Sequence, residues 1–398
     1  MKGSGKLLRS NNKINDYENT GIIYEWEQES AYLSIEAVRY RESKGAILYY
    51  RNPPMHQIGT TALYGFHEGL DHVMDEMEHL DFLILYGPND PVHSGGDLKE
   101  SLRKLEQSLK LKEKLALSGA WSEEVDKLFS WGEARLEKGI VLYDKIRHIA
   151  QQTRVVGVCG GGLRFGGSAE IQLMCDVLVG DSRSGMCFSE AMIGIIPGWG
   201  GMARVITKAG LENAEYMTKT ARVVQAKDLK RIGVYNDVVT LDFPFPKLNN
   251  GDPITDQMLL EEHDYKTGLS LLPRALELAT CDENEIPAVT LKNPKRLATR
   301  KAISKEVDMR INPDNYLHLL NQKLRDVKDE IEAMGRPLAP QSIAALDGLL
   351  TFLETEPYDE KRFVHEELNA DAALYRDPKF IVGLSAMLEQ RVPDFREP

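Results

Sequence analysis

Two glutamates stand in otherwise apolar company, Glu170 in Ala169-Glu170-Ile171 and Glu190 in Phe188-Ser189-Glu190-Ala191-Met192. A carboxylate taken out of water is costly unless paired or protonated, so such residues are candidates for acid and base work. Two glycine-rich segments accompany them: Val92-His93-Ser94-Gly95-Gly96-Asp97-Leu98-Lys99-Glu100, and Gly160-Gly161-Gly162-Leu163-Arg164-Phe165-Gly166-Gly167-Ser168-Ala169-Glu170. Each falls between an apolar run and a helical pattern. Unpaired backbone N–H groups point outward at such junctions, and two of them facing one another can hold a developing oxyanion. Taken singly, each feature has a plainer reading: tight turns needing positive φ for the glycines, an exposed helix surface for the glutamates.

Other chemistries lack their residues. Gly198-x-Gly200-x-x-Ala203 fits a relaxed dinucleotide pattern, but Met217 to Val223 holds no acid for a ribose, and residues 204–222 lead into no strand. There is no Walker A sequence and no Gly-x-Ser-x-Gly elbow, and His67-Glu68 has no second histidine to complete a zinc motif. The nine histidines do not cluster at ligand spacing, so no metal site is expected. His93, inside a glycine loop, reads as shaping the site or as exposed. Cys159, Cys175, Cys187 and Cys281 form no C-x-x-C pair and suggest a reducing compartment.

The elements that must position these residues alternate. Residues 31–38 and 46–50 read as a hairpin around Arg41-Glu42-Ser43-Lys44-Gly45. Leu63, Phe66, Leu70, Val73 and Met77 have helical spacing, and the apolar run 82–86 is a buried strand. Residues 97–151 predict one long or two shorter helices, 155–159 a strand, 170–173 a helix and 175–179 another strand. This alternation favours an α/β layered fold with mostly parallel pairing. Pro244, Pro246 and Asn249-Asn250-Gly251-Asp252-Pro253 mark 241–290 as a loop-rich insertion. Beyond it, Asn312-Pro313 followed by Leu317, Leu320, Leu324, Val327, Ile331 and Met334 predicts a helix stopped at Gly335-Arg336-Pro337, with further helices at 342–354 and around Phe380 to Leu388. Such apolar stripes are packing surface within the chain or between subunits.

Of the 398 residues, 49 are Lys or Arg and 61 Asp or Glu, a net charge of −12, which argues against nucleic acid as the main partner. With 42% hydrophobic and 28% charged residues the composition is that of a globular protein in water. No apolar stretch approaches the roughly 18 to 20 residues needed to span a bilayer, and Met1 to Lys6 has no apolar core of the signal-peptide kind. A cytoplasmic location is expected.

Taken together, three segments resemble the enoyl-CoA hydratase/isomerase family, also called the crotonase superfamily. Ser94-Gly95-Gly96-Asp97-Leu98-Lys99-Glu100 is similar to its (A/S)-G-(A/G)-D-(L/I)-K-E loop. Gly166 to Asp176 resembles G-G-G-x-E-L-x-x-x-C-D, and Phe188 to Gly198 resembles F-x-x-P-E-x-x-x-G-(I/L)-x-P with Ser189 in place of the proline. Ala226 to Val239 and Asp377 to Phe395 continue the likeness, while 241–290 and 325–372 look like additions.

The resemblance implies a crotonase-type α/β spiral of stacked β-sheets with flanking helices, followed by an extended helical C-terminal region. The domains expected are an N-terminal lead (1–28), a catalytic core (29–240), the loop-rich insertion (241–290) and a helical oligomerisation region (291–398). It implies hydration of the double bond of an enoyl-CoA thioester, with a ring-cleaving hydrolase of a cyclic oxo-acyl-CoA, a double-bond isomerase or an inactive scaffold as alternatives. Gly96 and Gly167 match the oxyanion-hole donors, and Glu170 and Glu190 match the acid and base. Gly95, Asp97, Leu98 and Lys99 match the coenzyme A contacts. Coenzyme A enters as part of the substrate, no cofactor is held permanently, no nucleic acid or membrane partner is implied, and a homotrimer or dimer of trimers is expected. Lys292, Lys295, Arg296, Arg300 and Lys301 form a basic cluster that reads as a solvated helix face or a phosphate contact.

Overall fold

The computed structural model describes residues 4–9, 13–120, 122, 131–245, 257–287 and 295–396. Its strands are β1 (Tyr17–Gln28), β2 (Ala31–Tyr40), β3 (Ser43–Arg51), β4 (Phe82–Tyr86), β5 (Val92–His93), β6 (Arg154–Cys159), β7 (Leu163–Phe165), β8 (Val177–Asp181), β9 (Gly185–Cys187), β10 (Val224–Gln225) and β11 (Asp237–Val239). Seven form a sheet in the order β1-β2-β3-β4-β6-β8-β11, antiparallel through β3 and parallel beyond it. Four short ones form a second sheet, β10-β9-β7-β5. The predicted hairpin and the α/β alternation are present.

The helices are α1 (Ser4–Leu8), α2 (Thr60–Glu76), α3 (Leu98–Leu117), α4 (Trp131–Ile149), α5 (Gly167–Leu173), α6 (Gly201–Ala209), α7 (Leu211–Thr220), α8 (Ala226–Ile232), α9 (Gln257–Thr280), α10 (Arg300–Ile311), α11 (Lys328–Met334), α12 (Pro340–Thr355), α13 (Glu360–Tyr375) and α14 (Pro378–Leu388). Strand residues alternate between the two faces of the large sheet, as the period of two requires. Leu33, Ile35, Leu48, Leu83, Leu85 and Val155 enter the core shared with α2, α4 and the small sheet. Tyr32, Ile47, Tyr49, Ile84, Val156 and Val179 face the other way, onto α1 and α9. Strands buried on both faces read as continuous apolar runs, which is why 82–86 and 155–159 were legible.

Three expectations are corrected. The segment 241–290 is not loop-rich throughout, because α9 lays Leu271, Leu272, Ala275, Leu276 and Ala279 on the sheet at helical spacing. The turn residues Asn249 to Pro253 lie outside the described residues. The lead 1–28 belongs to the core: β1 pairs with β2, and Leu7 and Leu8 are fully buried. The helix expected over Leu317–Met334 exists only as α11. Residues 316–327 run in tight turns, as where Leu319 N–H donates to Tyr316 O at 2.7 Å, and three bonds tie them to the C-terminal stretch: the Asn321 N–H donates to Val392 O at 3.1 Å, Leu324 N–H to Gln390 O at 2.8 Å, and Val392 N–H to Gln322 O at 3.1 Å. Asn321, at φ +63°, has left the helical region altogether.

The apolar stripes of the C-terminal helices are covered in part within the chain, with Leu317 left exposed and Leu350, Leu353 and Leu388 half-buried. Ile343, Leu346, Phe380 and Leu384 are all buried, with α13 against α4 and α6, and α14 against α3. Among the described residues no helix is long and apolar enough to cross a membrane.

Candidate active site

The chain leaves β5 through Ser94, Gly95 and Gly96 and enters α3, whose first turn is capped by Asp97. Its carboxylate accepts the N–H groups of Lys99 and Glu100, each at 3.0 Å. The second glycine loop leaves β7 and enters α5 at Gly167. The two loops touch through their backbones: Gly95 has φ +78°, and a Cβ there would lie 2.5 Å from Phe165 O. Gly95 N–H donates to Ser168 Oγ at 3.1 Å, and Gly95 O accepts from Ile58 N–H at 2.8 Å. Among the described residues the N–H groups of Gly96 and Gly167 donate to no protein acceptor.

Both open onto a pocket with about 590 Å³ of empty space, counting its mouth. Glu170, 4% exposed, lines it from α5, and Glu190, 7% exposed, from a single 3-10 turn (Glu190–Met192) after β9. Glu170 Oε1 accepts the Trp199 N–H at 2.8 Å and the Gly201 N–H at 3.1 Å. Burial raises its pKa to about 7, against the opposing pull of those two N–H groups and of Arg135. Glu190 is held well above the usual carboxylate range, by burial first and then by the charge of Glu170. Among the described residues its Oε2 has no hydrogen-bond partner.

Two further carboxylates come from α13, within the supposed addition. Asp371, 1% exposed, lines the pocket and accepts the Ile196 N–H at 2.8 Å. Glu367, fully buried, accepts the Met202 and Ala203 N–H groups at 2.8 and 3.1 Å and so closes the start of α6. Burial, then the charge of Glu170, raises the Glu367 pKa, and burial raises that of Asp371. Arg135, Trp199, Tyr375 and Phe380 complete the wall. The spacing of Glu367 and Asp371 by four, on the same face as Phe363 and Leu374, was the signal in the sequence for these acids.

Of the residues singled out in the sequence, Gly96, Leu98, Gly167, Glu170 and Glu190 share this pocket. Gly95 holds the loops together behind it, Asp97 caps α3, and Lys99 is exposed. His93 is buried rather than exposed: it hydrogen-bonds Pro88 O through Nε2 and stacks on His56. Of the basic cluster, Arg296 pairs with Glu212 and Arg300 with Glu215 on α7, while Lys292 lies outside the described residues.

Residues 138–243 match the model of the enoyl-CoA hydratase/isomerase family. A mitochondrial enoyl-CoA hydratase of Pongo abelii is 30% identical over 95 residues, 24% of this chain and 33% of that protein. The mitochondrial methylglutaconyl-CoA hydratase of Homo sapiens is 36% identical over 78 residues, 20% and 23% of the two chains. The similarity thus spans about a third or less of these relatives. An enoyl-CoA hydratase structure from Mycobacterium avium subsp. paratuberculosis aligns over 95% of this chain and 99% of its own, at 13% identity and a TM-score of 0.47.

Proposed function

The chain belongs to the enoyl-CoA hydratase/isomerase superfamily as an enlarged member, and from that membership we propose that it adds water across the activated double bond of an enoyl-CoA thioester. The observation that carries this reading is the pairing, in one pocket, of two buried carboxylates, both held above the usual range by burial, with two unengaged backbone N–H groups. The thioester carbonyl makes the β-carbon electrophilic, and its oxygen gathers negative charge as water attacks. The N–H groups of Gly96 and Gly167 meet that oxygen. Glu170, the easier of the two to ionise, takes a proton from water as the hydroxyl bonds to the β-carbon. Glu190, which keeps its proton, delivers it to the α-carbon. One water is consumed, with H to the α-carbon and OH to the β-carbon.

Gly95, Asp97, Leu98 and Lys99 are assigned to the coenzyme A portion. Leu98 lines the pocket and Lys99 offers an exposed ammonium, whereas the Asp97 side chain is spent on its helix cap. The test is to incubate the protein with linear, aromatic and alicyclic enoyl-CoA thioesters and weigh the products. Gain of one water with the carbon skeleton intact supports hydration, an unchanged mass with a moved double bond means isomerisation, and gain of water with an alicyclic ring opened, read from the fragments, means hydrolysis. No turnover on any member of the panel would remove the enzymatic reading.

A further inference from the structure

Arg135 has no part in the chemistry above, yet among the described residues it is the only cationic side chain lining the pocket. It is 5% exposed. A cation that deep ordinarily has a carboxylate against it, since its lost hydration is otherwise uncompensated. Among the described residues no carboxylate is hydrogen-bonded to Arg135: Nη2 donates to the Ile58 carbonyl at 2.7 Å, Nη1 has no partner, and Glu170 across the pocket only feels its charge. The guanidinium carbon lies 5.6 Å from the ring centre of Trp131 and 5.2 Å from that of Trp199, which hold the group in place.

What it is held against is Gly96. A Cβ on that glycine would meet Nη2 at 3.1 Å, so the guanidinium rests on the residue whose N–H is unengaged. The Ile58 carbonyl that accepts from Arg135 also accepts the Asp97 N–H at 3.4 Å, and the Ile58 N–H donates to Gly95 O at 2.8 Å. Arg135 therefore grips the Ile58–Gly96 bridge from the pocket side.

We infer that Arg135 is a positioning residue of the oxyanion hole: it clamps the bridge that aims the Gly96 N–H and sets a positive charge beside the oxygen on which thioester charge collects. The inference rests on the reading of Gly96 and Gly167 as the donors to that oxygen. A cation with no carboxylate hydrogen-bonded to it in the free protein gains a close anionic partner as negative charge develops on the substrate. A preorganised charge works this way, interacting more strongly with the transition state than with the ground state.

The experiment binds 4-(dimethylamino)cinnamoyl-CoA, whose absorption moves to the red as its carbonyl is polarised, to the parent protein and to Arg135→Met and Arg135→Lys. Turnover of the best enoyl-CoA substrate is measured alongside. The parent is expected to shift the chromophore. Arg135→Met should lose most of that shift and about 10²-fold in kcat, the scale of one oxyanion-hole donor, with KM changed only a few-fold. Arg135→Lys should lie between. A full red shift in Arg135→Met, or a loss confined to KM, overturns the inference while leaving the oxyanion hole intact. A parent that binds the chromophore without any shift overturns the oxyanion hole itself. If Arg135→Met does not fold, Arg135→Lys decides: a smaller shift with lower kcat supports the clamp, and parental values of both overturn it.

Discussion

Gly166 carries a constraint that no other residue type meets. Its φ is +47°, and a Cβ would stand 2.7 Å from Glu190 Oε1. Gly166→Ala should therefore cost about 1–3 kcal/mol in strain and displace the Glu190 carboxyl, lowering kcat; a variant with parental kcat would show that Glu190 does not depend on this turn. For the acids themselves, Glu170→Gln and Glu190→Gln should each reduce turnover by at least about 10²-fold with thioester binding little changed, and near-normal turnover in either would remove that residue from the mechanism. The pH profile of kcat/KM follows from the same pair. Activity should rise as Glu170 loses its proton near pH 7, and fall at higher pH where Glu190 loses its own. A pH-independent rate across that interval would contradict the assignment. Both glutamates were legible in the sequence because a carboxylate among apolar neighbours stands out. Arg135 was not, since Gly132-Glu133-Ala134-Arg135-Leu136-Glu137 reads like any solvated helix and only the fold turns that face inward.

Helix α13 shows how an element that looked like an addition becomes part of the site. Glu367 and Asp371 accept backbone N–H groups from the stretch 196–203 that runs on from Glu190. Glu367→Ala would leave the Met202 and Ala203 N–H groups buried without acceptors, at a cost of about 3 kcal/mol or more; thermal or denaturant unfolding reads this, and a change within a few tenths would mean that water replaces the carboxylate. Asp371 has a raised pKa, so its contribution to stability is present below the unfolded value and is lost as pH rises through the folded one. Asp371→Asn, which cannot ionise, should therefore gain stability relative to the parent between pH 5 and pH 8. The same difference in melting temperature at both pH values would refute this. At this scale the sequence was read well wherever burial made a run uniformly apolar, and badly where long-range pairing took over. Leu317 to Val327 has helical spacing, but the segment is folded in tight turns and tied by the Asn321 and Leu324 N–H groups and the Gln322 carbonyl to residues 390 and 392, a pairing that no local pattern announces. Helix α9 was hidden by Pro273 within it and by the turn residues before it.

Across the whole molecule the pocket draws on distant parts of the chain, from Ser94 to Phe380, and the paired parallel strands β5 and β7 fix the positions from which the glycine loops depart. Ending the chain before Asp359 should abolish turnover and expose the apolar surface now covered by Phe363, Val364, Phe380 and Leu384; a soluble, active product of that truncation would show that α13 and α14 are dispensable. Of the stripes from which the trimer was expected, Ile343, Leu346, Phe380 and Leu384 are buried within the chain, while Leu317 stays exposed and Leu350, Leu353 and Leu388 are half-buried. The closing wall also bears on how the molecule comes into being. A ribosome delivers Gly96, Gly167 and Glu190 long before Asp371, Tyr375 and Phe380. Until α13 has emerged, the Ile196, Met202 and Ala203 N–H groups lack the carboxylates that accept them, and the pocket lacks a side. A growing chain can thus complete its sheets while its pocket is still open, so that competence arrives late in synthesis rather than accumulating with length.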